Sequence, residues 1–228
     1  MNLMSIDGVR VVAAGSGPTV VCLGGLGAGV ASWEPVWNEL GEFRRVAFDP
    51  PGVDGSPRGE RRTTIAEITE IACTLLDELA SPVTVVGYSF GGAVAQELAR
   101  RRPHQVASLV LVATSTGWGS VPGPLPAALA SQRWPRGRAA IDQAVSFLGW
   151  TSLPWLARLR TPTWVVVGSA DVVVPAVNGW MMSWLLPAAR LRVVPADHDG
   201  LVTVAAPAVA SIIREAVAVQ QLDFGCAR

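Results

Sequence analysis

Six short runs dominate the pattern of this chain: "TVVCL" from Thr19, "RRVAF" from Arg44, "VTVVG" from Val83, "SLVLVA" from Ser108, "TWVVVG" from Thr163 and "RLRVVP" from Arg190. Successive side chains of a strand point to opposite faces, so a strand that is apolar at consecutive positions must be covered on both sides. That condition is met by a parallel sheet between two helical layers. Helical spacing recurs between the runs, at Trp33, Trp37 and Leu40, at Ile65, Ile68, Ile71, Leu75 and Leu79, from Ala93 to Arg101, and from Val202 to Val219,. The alternation predicts an α/β fold with a mostly parallel, twisted sheet and helices on both faces. The opening "IDGVRVVAAGSGPTVVCL" reads as a hairpin turning at "GSGP", which would give the sheet an antiparallel edge,.

One segment breaks the alternation. From Ser115 to Arg160 the chain carries Pro122, Pro124, Pro126, Pro135 and Pro154 interleaved with Trp118, Trp134, Trp150 and Trp155, and it is expected to form a short lid-like excursion, 115–160, above the sheet,. The chain as a whole, excursion included, fits one domain spanning 1–228, a length that a single core can serve,.

Charge narrows the partners. With 18 basic against 18 acidic side chains, nothing builds a field for phosphate backbones or anionic lipid, so nucleic acid is not expected as a partner,. The N-terminal "MNLMSIDGVRVVAAGSG" has neither a basic leader nor an apolar run, and no membrane insertion is expected; the expected compartment is the cytoplasm,. Cys22, Cys73 and Cys226 lack metal-ligand spacing and read as packed thiols,.

At "VTVVGYSFGGAVAQELARR" a strand passes into a helix around one serine. A turn tight enough to expose that side chain crowds the residues two before and two after it, and glycine at both places relieves the clash. Gly87 and Gly91 occupy those places around Ser89, and Gly92 adds room for the helix to pack,. Ser89 is therefore the candidate nucleophile of an elbow.

A serine hydroxyl needs an imidazole to accept its proton, and the imidazole needs an oriented acceptor on its other nitrogen. The chain has two histidines. His104 lies between the elbow helix and the next strand, at the opposite end of the sheet, about 17–20 Å away across one strand length. His198, in "VVPADHDGLVT", follows the last strand and emerges at the same edge as Ser89, the edge where open α/β sheets place their ligands,. Asp171, in "VVVGSADVVVP", emerges from the preceding strand at that edge and is the candidate acid. Asp197 and Asp199 flank His198, but side chains adjacent in a loop diverge, and both read as solvated carboxylates.

A developing oxyanion needs two backbone donors. The amide of Phe90 follows the nucleophile, and the amide of Leu26 lies in "LGGLGAG", where glycines let backbone approach a substrate,. Gly24, Gly25 and Gly27 lack the spacing of a nucleotide-binding loop,. Gly25, Trp118 and Trp150 are candidate lining of an apolar acyl pocket, with other excursion tryptophans packing. Neither a metal nor a cofactor is expected.

With "LGGLGAG", "FDPPGVDGS", "GYSFGG", "GSADVVVP" and "DHDG" assembled, the chain resembles the α/β-hydrolase superfamily over nearly its whole length. The order Ser89, Asp171, His198 matches that pattern. A histidine usual in the first motif is replaced by Gly24, and a glycine usual in the second by Asp54. Within the superfamily, "GLGAGVASWEPVWNEL" and "GWTSLPWLARLRTPTWVVVGSADVVVPAVN" resemble the intracellular medium-chain polyhydroxyalkanoate depolymerases. The 115–160 excursion is shorter than the lid of those enzymes, which implies a reduced lid and an open cleft.

The resemblance implies a serine hydrolase of carboxylic esters, lactones or thioesters acting on a small, apolar acyl substrate through an acyl-Ser89 intermediate. Two other readings stand beside it: an acyltransferase, cyclase or thioesterase-like enzyme of small-molecule biosynthesis, and a binding protein that keeps the fold without turnover. Oligomeric state is not legible.

Overall fold

The computed structural model describes residues 2–60, 62–80, 82–124 and 137–225. Its strands are β1 Asn2–Ile6, β2 Val9–Ala14, β3 Thr19–Leu23, β4 Arg44–Phe48, β5 Val83–Tyr88, β6 Val106–Val112, β7 Thr163–Gly168 and β8 Ala189–Val194. They form one sheet in the order β1-β2-β4-β3-β5-β6-β7-β8. From β4 through β8 neighbouring strands are parallel, and β1 and β2 form an antiparallel edge.

The pleat sorts the strand residues into two cores. Val21, Val85, Leu109, Leu111 and Val165 face one side, where α2 (Ile65–Asp77), α3 (Phe90–Arg101) and α6 (Val177–Leu185) cover them. Cys22, Val86, Val110, Trp164 and Val166 face the other, under α1 (Glu34–Asn38) and α7 (Ala206–Gly225). Covering both faces is what permits apolar side chains at successive positions of β3, β5, β6 and β7. At the β8 edge Arg192 instead pairs with Glu215 of α7 at 2.7 Å, and Arg190 lies 4.7 Å from the Trp164 ring centroid. Among the described residues no helix is long and apolar enough to cross a membrane.

The hairpin expected at "GSGP" is not formed. β2 and β3 are separated by β4, with Val11 opposite Phe48 and Val21 opposite Val46. The hairpin lies one turn earlier, between β1 and β2, where Asp7 and Gly8 both take positive φ (51° and 79°), as a two-residue turn between twisted strands requires,. Gly15 and Gly17 instead let the chain pass close beside the segment entering β4. A Cβ would stand 2.4 Å from the Phe43 carbonyl oxygen at the first and 2.6 Å from that of Glu42 at the second.

Between β6 and β7 the chain leaves the sheet. A bridge between Gly117 and Thr151 closes the base of the excursion, and inside it lie α4 (Arg138–Leu148) and α5 (Leu153–Leu156). α4 sits over the C-terminal edge: Ser146 Oγ accepts the Ile65 amide at the start of α2 (2.9 Å), and Phe147 packs on Phe90 at the start of α3 with centroids 6.3 Å apart. Trp134, Pro126 and Pro135 of the excursion, and Cys226, lie outside the described residues.

Candidate active site

β5 ends at Tyr88 and α3 begins at Phe90, leaving Ser89 to make the whole turn. It does so at φ 52° and ψ −118°, a conformation sparsely populated by residues with a side chain,. Its backbone is held on both sides: the Ser89 amide donates to Val112 O (2.8 Å), and its carbonyl accepts from Gly92 N (2.9 Å). The glycines around it are forced by contact. A Cβ at Gly87 would lie 2.5 Å from Gly91 O, one at Gly91 2.1 Å from Leu23 O, and one at Gly92 2.4 Å from Thr114 Cβ.

His198 and Asp171 come from the loops after β8 and β7 and reach the same point. His198 Nε2 is 3.0 Å from Ser89 Oγ, and His198 Nδ1 is 2.8 Å from Asp171 Oδ2. An ionised carboxylate only accepts, so Nδ1 carries the proton and Nε2 is left to accept from the serine hydroxyl. The second oxygen, Asp171 Oδ1, accepts from the amides of Val173 (2.9 Å) and Val174 (2.8 Å), so the carboxylate is aimed and fully satisfied without solvent,. His104 is exposed, in the loop between α3 and β6 at the opposite end of the sheet.

The residues flanking His198 play separate parts. Asp197 Oδ1 accepts from Gly200 N (2.7 Å) within its own loop. Asp199 is not simply solvated, as its loop position suggested: its Oδ1 accepts from the Tyr88 hydroxyl at 3.0 Å, and that hydroxyl also lies 3.2 Å from the His198 carbonyl oxygen. The Tyr88 and His198 ring centroids are 5.2 Å apart. Tyr88 therefore ties the strand before Ser89 to the loop that carries His198. Its one sequence signal is being the sole tyrosine, beside the elbow serine.

The Leu26 loop is fixed from two directions. From behind, buried Asp49 accepts from Val30 N (2.7 Å) and Gly55 N (3.1 Å) and pairs with Arg10 at 2.7 Å. A Cβ at Gly29 would collide with Asp49 Oδ1 at 2.1 Å, so that glycine is required by the approach. From above, Gln143 Oε1 of α4 accepts from Gly27 N at 2.7 Å. Neither Leu26 N nor Phe90 N has a protein acceptor among the described residues. For Phe90 this follows from its place at the start of a helix.

Beside the site lies a largely apolar cavity of about 570 Å³, bordered by Ser115, Trp118, Val121, Phe147, Val173 and Val174. Trp118 lines it and is 73% exposed. Trp150, also expected there, does not line it: its ring stacks on Phe147 with centroids 6.3 Å apart and meets Trp155 edge-on, so it packs the base of the excursion. Gly25 stands against Ser89, where a Cβ would be 3.0 Å from Tyr88 Cε1 and 3.7 Å from Ser89 Cβ.

Comparison with known proteins agrees with this geometry. Residues 18–143 match the family model for the α/β hydrolase fold. The chain is 30% identical over 207 residues to a poly(3-hydroxyalkanoate) depolymerase from Ectopseudomonas oleovorans, covering 74% of this chain and 72% of the relative. It is 38% identical over 124 residues to a pimeloyl-(acyl-carrier protein) methyl ester esterase from Aromatoleum aromaticum, covering 54% of this chain and 46% of that one. Among solved structures, the enol-lactonase from Burkholderia xenovorans LB400 superposes with a TM-score of 0.80 at 18% identity, covering 95% of this chain and all (100%) of the other, a likeness of fold. Sheet order, elbow, sequence relatives and family model converge on one conclusion: this chain belongs to the α/β hydrolase fold family.

Proposed function

We propose that this protein is a serine hydrolase that cleaves a carboxylic ester, lactone or thioester through an acyl-Ser89 intermediate. The observation that carries the reading is the continuous relay from Ser89 Oγ to His198 Nε2 (3.0 Å) and from His198 Nδ1 to Asp171 Oδ2 (2.8 Å) at the end of a glycine-collared elbow. As Ser89 Oγ attacks the acyl carbon, His198 takes its proton, and Asp171 stabilises the imidazolium while fixing the tautomer. The negative charge on the acyl oxygen is met by the Leu26 and Phe90 amides. Collapse expels the leaving group with the proton from His198. Water, deprotonated by the same imidazole, then releases the acid.

The named activities of the relatives, a polyester depolymerase and a methyl ester esterase, are both ester cleavages and support this choice of bond. The apolar cavity bordered by Phe147, Val173 and Val174 suits the acyl part of a small substrate,. Neither described cysteine suits a nucleophile: burial pushes the Cys22 thiol up to about 12 and also raises that of Cys73,. Two buried free thiols also fit the cytoplasm as compartment,.

The test treats wild type and Ser89→Ala with a fluorophosphonate, followed by intact mass, and assays p-nitrophenyl esters of increasing chain length. Labelling of wild type alone, with turnover that Ser89→Ala lacks, is the expected result. Labelling without turnover of any ester would point to an acyltransferase or cyclase, and absence of Ser89-dependent labelling to a binding protein.

A further inference from the structure

Gln143 is fully buried (0% exposed) on α4, yet only half of its amide is used among the described residues. Oε1 accepts from Gly27 N at 2.7 Å, while the buried Nε2 has no partner. The orientation is fixed by chemistry, because only the amide oxygen can accept from a backbone N–H. Leaving a buried donor unmade costs as much as, or more than, one neutral hydrogen bond gains. A leucine or methionine would fill the space without that cost. Stability alone therefore does not account for a glutamine here, and the group its oxygen holds is the place to look for the reason.

That group is the amide of Gly27, adjacent to Leu26 and itself at φ +62°. The loop around it has glycine at 24, 25, 27 and 29; the Gly25–Leu26 peptide, which carries the Leu26 N–H, is held by its carbonyl accepting from Ala28 N at 3.1 Å, and the Leu26–Gly27 peptide that follows, with glycine on its far side, would rotate at little cost without Gln143,. α4 is a firm base for the hold. It is anchored by the Ser146–Ile65 hydrogen bond, by Phe147 on Phe90, and by Ala139, whose Cβ would lie 3.2 Å from a Cβ at Gly52. Leu148 and Phe147, one turn beyond Gln143, also border the acyl cavity. The helix that shapes the cavity is thus the helix that grips the loop.

We propose that Gln143 is a positioning residue that fixes the Leu26–Gly27 peptide so that the Leu26 amide is aimed at the developing oxyanion before substrate arrives. The inference rests on the serine hydrolase reading above. Pre-aimed donors contribute because they need no reorganisation during the reaction, and displacing one by a fraction of its bond length costs much of that gain.

The experiment compares wild type with Gln143→Met, which keeps volume and loses the acceptor, and Gln143→Glu, which keeps an acceptor oxygen. Each is assayed for kcat and KM on a p-nitrophenyl ester, for fluorophosphonate labelling rate, and for hydrogen–deuterium exchange of the peptide spanning 24–29. In Gln143→Met, kcat and the labelling rate should fall about 10- to 100-fold with KM within about twofold. Exchange at 24–29 should quicken while the melting temperature holds, and Gln143→Glu, which keeps an acceptor for Gly27 N, should restore slow exchange at 24–29,. Unchanged kcat in a labelled, active wild-type background would overturn the inference and leave the hydrolase reading standing; so would a rise in KM alone, which marks a substrate contact. A wild type that neither labels nor turns over would overturn both. Should Gln143→Met fail to fold, Gln143→Leu carries the same comparison, and a failure of both to fold would assign Gln143 to stability and overturn the inference.

Discussion

Ser89 is strained because nothing else can make the turn, and the strain is held by neighbours that leave no room for a Cβ. Adding one methyl at Gly91 would drive it to 2.1 Å from the Leu23 carbonyl oxygen. Gly91→Ala is therefore expected to destabilise the fold by about 1–3 kcal/mol, read as a shifted urea midpoint, and to displace the Phe90 amide. An unchanged midpoint would mean the collar is not tight. Asp171→Asn should leave the fold intact but lower kcat by about 10³–10⁴-fold, because an amide in place of Oδ2 favours the wrong imidazole tautomer. Ser89, Asp171 and His198 are legible in the sequence because topology alone sorts two histidines to opposite sheet edges. Tyr88 and Gln143 are not, since their partners lie 110–111 and 116 residues away and no local pattern announces a hydrogen bond of that span. Tyr88→Phe removes the hydroxyl bond to Asp199 and should cost about 1 kcal/mol of stability together with a fall in kcat. Loss of stability with kcat unchanged would confine Tyr88 to packing.

Among the elements, the parallel strands are readable from their unbroken apolar runs, whereas the antiparallel edge turns one loop earlier than the sequence suggests. "GSGP" has the residues of a hairpin turn, yet Gly15 and Gly17 serve close passage beside Glu42 and Phe43, while Asp7-Gly8 makes the turn. α4 is hidden by the prolines and tryptophans that flank it, although "RAAIDQAVSFL" has helical spacing. The C-terminal end of α3 carries a pH-dependent contribution to stability. Burial opposes the charged form of Glu97, but its bonds to Arg100 and Arg101 outweigh that and hold its carboxyl below the usual 4.5. A carboxylate depressed in the folded state stabilises above its unfolded value and loses that contribution as pH falls through the folded one. Glu97→Gln should thus cost about 1 kcal/mol at neutral pH, allowing for the exposed Arg100 and the half-buried Arg101, with the gap to wild type closing as pH drops below 4.5,. A gap independent of pH would remove charge from the explanation.

At the scale of the whole molecule, the site exists because parallel strands deliver their C-terminal ends to one rim. The loops after β3, β5, β7 and β8 supply Leu26, Ser89, Asp171 and His198, residues spread over most of the chain. The excursion after β6 adds α4 over the same rim, so the glycine loop is gripped by Asp49 below and Gln143 above. In the proposed mechanism, convergence at that rim matters because Ser89 carries the acyl group between two half-reactions driven by His198. Rapid quenching of the enzyme with a p-nitrophenyl ester, followed by peptide mass mapping, observes that transfer itself. A burst of p-nitrophenol should appear, matched by an acyl mass on the peptide containing Ser89, and both should be absent in His198→Ala. Ester turnover by wild type with no acyl mass at Ser89, or with that mass on another residue, would rule out Ser89 as the carrier.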